Sequence, residues 1–294
     1  MLHLMNLLLC LSLIFPTCEA FAVLSAKSNN RKKCLHQSLL KEPEQTSFWG
    51  ESHSDDEIVE YCAQVLFDND IGKTKENIEI ISNELPLILI HNFMTKKDCV
   101  AIKDAGIRSG LLKRSTTGES QETSTDRTSS TAWLHDDECL VPLQTFRNKV
   151  ANLVGLDSSF QENTQIVQYK PGQKFNLHTD HQESFNELDC RGRLATVLLY
   201  LNSSKDENVN GVEDNNNPSF DGGETYFPEY DTNVIPKRGT ACFWFNTVER
   251  PGVKDYNPNA PLTLDVRSRH AGNPVRSGTK WICNLWVHPI EINF

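Results

Sequence analysis

The hydrophobic rhythm of the chain changes near residue 164. Upstream of it, most apolar residues recur at helical spacing. In SDDEIVEYCAQVLFDND, Ile58, Tyr61, Cys62, Val65 and Leu66 share one helical face, with Asp55 or Asp56 placed to cap it. In TKKDCVAIKDAGIRSG, Thr95 and Asp98 have capping-box spacing, which predicts a helix running to about Ser109. VPLQTFRNKVANLVGL has Pro142 in its first turn and Leu143, Phe146, Val150 and Leu153 on one side. LPLILIHNF, residues 85–93, breaks this rhythm with a short unbroken apolar run and predicts a buried strand. Eight of the fifteen residues of SQETSTDRTSSTAWL are Ser or Thr, which predicts either a flexible loop or a lid over residues 115–131 that closes on a ligand.

From residue 164 onward, short strand patterns dominate: TQIVQYK, RLATVLLYLN, GGETYFP, GTACFWFN and TKWICNLWVHP, with turn residues between them. Helices first and strands afterwards predict an α+β fold, with helices packed on one face of an antiparallel sandwich or barrel. SSKDENVNGVEDNNNPS, residues 203–219, predicts a solvent-exposed insertion. Just before it stands the glycosylation sequon Asn202-Ser203-Ser204, which closes a predicted strand.

At 294 residues the chain has room for one sizeable domain with extensions. A net charge of -10 and no basic stripe argue against nucleic acid as a partner. Nine cysteines without a CxxC pair fit neither a zinc finger nor a small disulfide scaffold. The apolar stretch Leu7 to Phe15 is too short to span a bilayer, and CEA ending at Ala20 resembles a cleavage site. Residues 1–20 are therefore expected to be a signal peptide, directing the chain to the secretory pathway without a stable membrane span. Residues 21–41 are basic, serine-containing and free of acid until past Lys41, so a linker or the second part of a plastid presequence both fit. The expected division is signal peptide 1–20, linker and N-terminal helix 21–85, partly disordered, and a catalytic domain 86–294.

YKPGQKFNLHTDH, residues 169–181, carries the chemistry. In a strand, residues i and i+2 face the same side, with Cα atoms roughly 6.5 Å apart. His178 and Asp180 can thus converge on one cation, an imidazole and a carboxylate suiting a borderline metal such as Fe(II). A polar turn in which Asp180 caps a backbone amide would use the same residues. A third ligand would come from another strand, and DVRSRHAGNPVRSGTKWICNLWVHP offers His270. In the strand that follows, Trp281, Cys283, Leu285 and Val287 form an apolar face, with Lys280, Asn284 and Trp286 opposite. A lysine there either points into water or holds an acidic ligand.

Taken together, YKPGQKFNLHTDH, RLATVLLYLN, GGETYFP, IPKRGTACFWFN and RHAGNPVRSGTKWICNLW resemble the prolyl 4-hydroxylase family in order and wording, as does RTSSTAWL upstream. The resemblance covers roughly residues 86–290. It implies an Fe(II)/2-oxoglutarate dioxygenase on a double-stranded β-helix (jelly-roll) core. By position, His178, Asp180 and His270 would be the iron ligands. Lys280 would bind the distal carboxylate of 2-oxoglutarate, with Tyr169 bonded to the same group. Trp286, Arg193 and Arg127 would belong to the substrate side. Fe(II), 2-oxoglutarate and L-ascorbate would be the cofactors, a proline-containing protein or peptide the partner, and the endoplasmic reticulum lumen the place of work. The family often has other residues where this chain has Arg269 and Asn273, which flank the metal turn. Two further readings share the pattern: a dioxygenase of this fold acting on another residue or a small molecule, and a non-catalytic β-sandwich binding module.

Overall fold

Strict alternation along the central strands divides the protein into two cores. In a computed structural model, which describes residues 45–116, 123–135, 140–188, 191–205, 219–253 and 255–292, one eight-stranded antiparallel sheet runs through the middle. Its strands are β1 (Ile78–Ser82), β2 (Leu87–Ile90), β3 (Lys113–Arg114), β4 (Ser130–Leu134), β5 (Thr164–Tyr169), β7 (Ala195–Tyr200), β11 (Ala241–Phe245) and β14 (Lys280–Val287). They lie in the order β1-β2-β11-β7-β14-β5-β4-β3. Ile88, Val197, Phe243, Cys283 and Leu285 face one core, and Leu87, Leu198, Trp244 and Ile282 face the other. Because both faces are covered, these strands read as continuous apolar runs.

The first core lies between this sheet and three helices: α1 (Asp55–Leu66), α3 (Lys96–Arg108) and α4 (Val141–Val154). A short helix, α2 (Ile71–Lys75), links α1 to β1. Thr95 caps α3 through the Asp98 amide, and Pro142 sits in the first turn of α4, as the sequence predicts. On α1 the cap is Ser54, not Asp55 or Asp56. Its hydroxyl accepts from the Glu57 amide, and the Glu57 carboxylate accepts from the Ser54 amide. That reciprocal box satisfies two orphan donors, which an aspartate one residue later cannot do.

The second core lies beneath a smaller sheet of β10 (Thr232–Val234), β9 (Thr225–Phe227), β12 (His270–Gly272) and β6 (Phe175–His178). A two-stranded ribbon joins β8 (Asp221–Gly222) to β13 (Val275–Ser277). Helices on one face of a jelly-roll core match the expected α+β class.

Residues 45–85 belong to the same folded unit as the strands that follow, and the helix expected ahead of residue 86 is α1. Trp49, Ile58, Tyr61 and Phe67 are buried in the first core, and β1 pairs with β2. The last third of the Ser/Thr-rich stretch is strand. β4 pairs with β5 from Ser130 to Leu134, and Ser115, Arg127 and Ser129 are buried. Of the expected lid, residues 117–122 lie outside the described residues. Most of the expected 203–219 insertion lies outside them too, but Ser204 bridges to Phe220 and closes its base. Asn202 is buried, its Nδ2 donating to the Thr279 carbonyl at 2.8 Å and its Oδ1 accepting from the Trp281 amide at 2.8 Å, so in the folded chain its side chain serves the sheet rather than the surface.

The expected signal peptide, like every residue up to 44, lies outside the described residues. Among the described residues, no helix is long and apolar enough to cross a membrane. Cys62, Cys99, Cys242 and Cys283 are buried free thiols.

The helix-to-sheet contact is closest at Gly106 of α3, where a Cβ would lie 2.8 Å from the Ile166 side chain of β5. Gly106→Ala should therefore destabilise the fold by about 1–3 kcal/mol through overpacking, despite alanine's better helix propensity. In chemical denaturation, Ile166→Ala should cost less in the Gly106→Ala background than in the wild-type background. Additive effects would place the helix farther from the sheet than the contact shows.

Candidate metal and cosubstrate site

Antiparallel pairing of β12 with β6 puts His270 directly opposite His178. Asp180 follows β6 by two residues and turns back to the same point. His178 Nε2 lies 3.7 Å from Asp180 Oδ1, and His270 Nε2 lies 3.9 Å from Asp180 Oδ2. One ligand atom from each residue falls within 4.8 Å of the others, the spacing of three donors around one cation. The three residues expected to converge do so.

The imidazoles are oriented for this. His178 Nδ1 faces the Asn176 carbonyl at 2.7 Å, and His270 Nδ1 faces the Ser268 carbonyl at 2.9 Å. A carbonyl only accepts, so Nδ1 carries the proton in each ring and Nε2 keeps its lone pair for the shared point. Asp180 Oδ2 accepts from the Thr196 hydroxyl at 2.8 Å. Thr196 Oγ1 accepts from Asn246 Nδ2 at 2.9 Å, and Asn246 Oδ1 accepts from Trp244 Nε1 at 2.9 Å. Burial works to raise the Asp180 carboxyl, but the charges of His270, His178 and Arg193 outweigh it and hold the group at about 2. Burial, and then the neighbouring His270, push His178 well below the usual imidazole range. The donor set is thus one carboxylate and two imidazoles, with aromatic walls: Phe175 stacks on His178 at 3.5 Å, and Trp244 meets His270 edge-on at 4.7 Å.

The triad opens into a cavity of about 1280 Å³ that also reaches Lys280 and Tyr169. Lys280 and Tyr169 are partners across β14 and β5. The Lys280 ammonium donates to the Gly223 carbonyl at 2.7 Å, and lies 5.4 Å and 5.7 Å from the ring centres of Tyr169 and Tyr200. Only glycine suits position 223, at φ +70° with Lys280 Cδ 3.0 Å from where a Cβ would sit. Burial pulls the Lys280 ammonium down to about 7, opposed by Glu224. A nearly unpaired buried cation in a cavity is a poor structural element and a good anchor for an anion.

Arg193 and Trp286 line the same cavity, with the guanidinium 3.6 Å from the ring centre. Arg193 also forks onto Glu162 at 2.6 and 3.0 Å, and His288 Nε2 meets the same carboxylate at 2.9 Å. Burial works to raise Glu162, but the Arg193 charge and the His288 and Arg193 hydrogen bonds overcome it and hold Glu162 at about 2. Arg127 is buried, lies 4.9 Å from the Phe175 ring centre and donates to Gln165 Oε1 at 2.8 Å.

Sequence reading missed Glu162, Thr196, Asn246 and His288. His288 was within reach, because it continues the alternation of Lys280, Asn284 and Trp286 by one more step. Thr196 shares its face with Leu198 and Tyr200, so a hydroxyl in that apolar series was a weak signal. Glu162 and Asn246 sit at strand ends, where nothing in the local pattern marks them.

If Thr196 orients the carboxylate, Thr196→Val should weaken Co(II) binding by about 10- to 100-fold at little cost to folding. Titration followed by cobalt absorption checks this. Unchanged affinity would show that Asp180 needs no outside support.

The model of the 2OG-Fe(II) oxygenase superfamily matches residues 164–288. The prolyl 4-hydroxylase subunit alpha-1 of Homo sapiens is 30% identical over 210 residues, which are 69% of this chain and 34% of that protein. Subunit alpha-2 of Caenorhabditis elegans is 28% identical over 220 residues, 72% of this chain and 35% of that protein. The chain therefore spans about a third of the length of these relatives. The crystal structure of the viral collagen prolyl hydroxylase from Paramecium Bursaria Chlorella virus-1, in complex with 2OG, is 26% identical, with a TM-score of 0.50 over 69% of this chain and 95% of that one. A Trichoplax adhaerens prolyl hydroxylase, 14% identical, shares the fold with a TM-score of 0.50 over 79% of this chain and 90% of that one. The chain belongs to the 2OG-Fe(II) oxygenase superfamily and, within it, to the prolyl 4-hydroxylase family.

Proposed function

We propose that this protein hydroxylates peptidyl proline at the 4-position, using Fe(II), O₂ and 2-oxoglutarate and releasing succinate and CO₂. The observation that carries this is the single cavity joining a His-Asp-His donor set to a buried lysine. Such a pair suits a ligand that chelates a cation at one end and carries a carboxylate at the other. When bound, iron supplies the oxidising chemistry: the keto acid loses CO₂, one oxygen atom enters succinate and the other enters the substrate C–H bond.

The protein's own residues supply position. His178, Asp180 and His270 hold a dication and neutralise one of its charges, leaving positions for the cosubstrate. Lys280 receives the distal carboxylate, with Tyr169 beside it. Phe175 and Trp244 keep water from the metal side. Arg193, Trp286 and Arg127 form the wall that a peptide would meet. In this reading L-ascorbate keeps the iron reduced, and the protein works in the secretory pathway.

The test is succinate release with short proline-containing peptides, together with a one-oxygen mass gain on proline. His178→Ala, Asp180→Ala and His270→Ala should each abolish turnover, since a facial triad has no spare protein ligand. Oxygen on a residue other than proline would change the substrate but keep the reaction. Wild-type-like turnover in any of the three variants would remove the triad from the mechanism.

Lys280 gives a pH test. With the free ammonium titrating at about 7, the free site is neutral above that pH, while the bound state needs the charge. Binding above pH 7 must take up a proton. Affinity for 2-oxoglutarate should therefore be flat below about pH 7 and fall about tenfold per pH unit above it. The same depressed pKa makes the free protein gain stability as pH rises from about 7 toward the ordinary lysine value. Lys280→Met should raise the Tm of the free protein at neutral pH, weaken 2-oxoglutarate binding by roughly 10- to 150-fold and remove its pH dependence. Calorimetry in two buffers of different ionisation enthalpy reads the proton directly. No proton uptake at pH 8 would mean that the ammonium stays charged in the free site.

A further inference from the structure

Asp265 is a buried carboxylate that the proposed reaction does not use. It is 4% exposed and precedes His270 in the chain by one short turn. Its side chain caps that turn, the 3₁₀ segment Val266–Ser268, with Oδ1 accepting from the Arg267 amide at 3.0 Å. The Arg267 guanidinium forks onto the same carboxylate, from Nε at 3.0 Å and Nη2 at 2.8 Å. Burial works to raise the Asp265 carboxyl, but these bonds and the charges of Arg267 and Arg250 hold it below the usual range. The main-chain carbonyl of Asp265 accepts twice from Ser268, from the hydroxyl at 2.7 Å and from the amide at 3.0 Å. Ser268 is fully buried, and its own carbonyl faces His270 Nδ1 at 2.9 Å. An Asp–Arg pair at a turn is ordinarily a stability element. This one sets the place of the acceptor that orients an imidazole.

The same turn is tied to the support of Asp180. The Asp265 amide donates to the Asn246 carbonyl at 3.0 Å. Asn246 directly follows β11 and is fully buried. Its side chain has a fixed orientation. An indole N–H can only donate, so the Asn246 atom that Trp244 Nε1 meets is the oxygen, and Nδ2 points to Thr196. The Thr196 hydroxyl, accepting there, turns its own proton to Asp180 Oδ2. Asn246 therefore serves Asp180 with its side chain, and with its main chain it serves the turn that holds His270. His178 is held differently, by the Asn176 carbonyl of its own strand.

We propose that Asp265 is a positioning residue for the metal site, and that with Asn246 it forms one brace from the large sheet to two of the three ligands. Asp265 fixes the direction of His270 Nε2 by holding the carbonyl at Nδ1. The Asn246 side chain fixes Asp180 through Thr196. This rests on the reading of His178, Asp180 and His270 as the metal ligands. A ligand already held in place binds a cation without first being ordered, so cutting the brace weakens metal binding even where the fold survives. His178, which has no bond to the brace, keeps its orientation when the brace is cut.

The experiment uses the full chain, with Co(II) titrated by absorption and Zn(II)-loaded protein for histidine NMR. Asp265→Ala should weaken Co(II) binding by about tenfold. Asp265→Asn, which keeps an oxygen for the Arg267 amide, should keep most of the affinity. In Zn(II)-loaded Asp265→Ala, the Nδ1 proton of His270 should shift and exchange faster with water, while that of His178 stays as in the wild type. Asn246→Leu should also weaken Co(II) binding, and adding Thr196→Val should weaken it no further, because both remove the same support of Asp180. Adding Asp265→Ala to Asn246→Leu should multiply the two losses, since the Asn246 carbonyl remains. If Asp265 only stabilises the fold, Asp265→Ala will lower the Tm of the metal-free protein but leave Co(II) affinity and the His270 proton unchanged, and the proposal falls. Rapid exchange of the His270 Nδ1 proton in the wild type, which requires no variant to fold, overturns it as well. Wild-type protein that binds no Co(II) removes the ligand reading and the brace together. Wild-type binding with an unaffected Asp265→Ala removes the brace alone.

Discussion

Two imidazoles facing each other across an antiparallel pair repel when both are protonated, and gain little when both are neutral. In register, with a carboxylate between their Nε2 atoms, they form a cation site. The β6–β12 pairing creates this situation, since His270 and His178 are Cα partners. Much else follows from keeping that register. Backbone carbonyls hold both Nδ1 atoms, Thr196 and Asn246 hold the carboxylate, and Phe175 and Trp244 fix the ring planes. A slip of β6 by one residue would turn His178 to the opposite face, away from His270, so the small sheet is specified by its chemistry as much as by its core.

The lysine shows what such a site demands of the fold. Burying an ammonium among tyrosine rings with one carbonyl to bond is unfavourable, which its depressed pKa reports. The surrounding sheet over-determines the position. β14 is paired on both sides, and its alternate residues Trp281, Cys283, Leu285 and Val287 anchor it in the helical core. The strand that carries the destabilising charge is thus among the most firmly held. Rigid support under a strained functional group is the arrangement that preorganised binding needs.

Most of the central fold was legible because short apolar runs bounded by turn residues are a local signal. TQIVQYK, RLATVLLYLN, GTACFWFN and TKWICNLWVHP all became strands, and the even-numbered face of the last one became the cavity wall. The triad and Lys280 were legible for a different reason, since motif order pairs residues that are far apart in sequence. Failures came where long-range pairing overrides local composition. RTSSTAWL has the polarity of a loop, yet Ser115, Ser129 and Thr131 satisfy one another at 2.6–2.7 Å and β4 is held by β5. Ser54 lost the cap to its acidic neighbours on paper, although Ser54 and Glu57 have the same capping-box spacing that was read at Thr95 and Asp98. Glu162, fixed by Arg193 and His288 from other strands, leaves no trace in its own neighbourhood.

The large sheet orders these functions in space. Reading across β7, β14, β5 and β4, the cavity face presents Thr196, then Trp286 and Asn284, then Gln165, then Trp133. The first bonds to the Asp180 carboxylate, and the last is the most exposed. The face therefore grades from a buried polar network at Asp180 to an open aromatic surface at Trp133. The link between them is Gln165, whose single oxygen is shared by Arg127 and Asn284. Arg127 in turn lies over Phe175, which stacks on His178. A displacement at Gln165 would thus reach His178 through three contacts, one polar, one cation–π and one stacked. In this geometry the outer amides of the cavity face and the orientation of His178 are parts of one packed network.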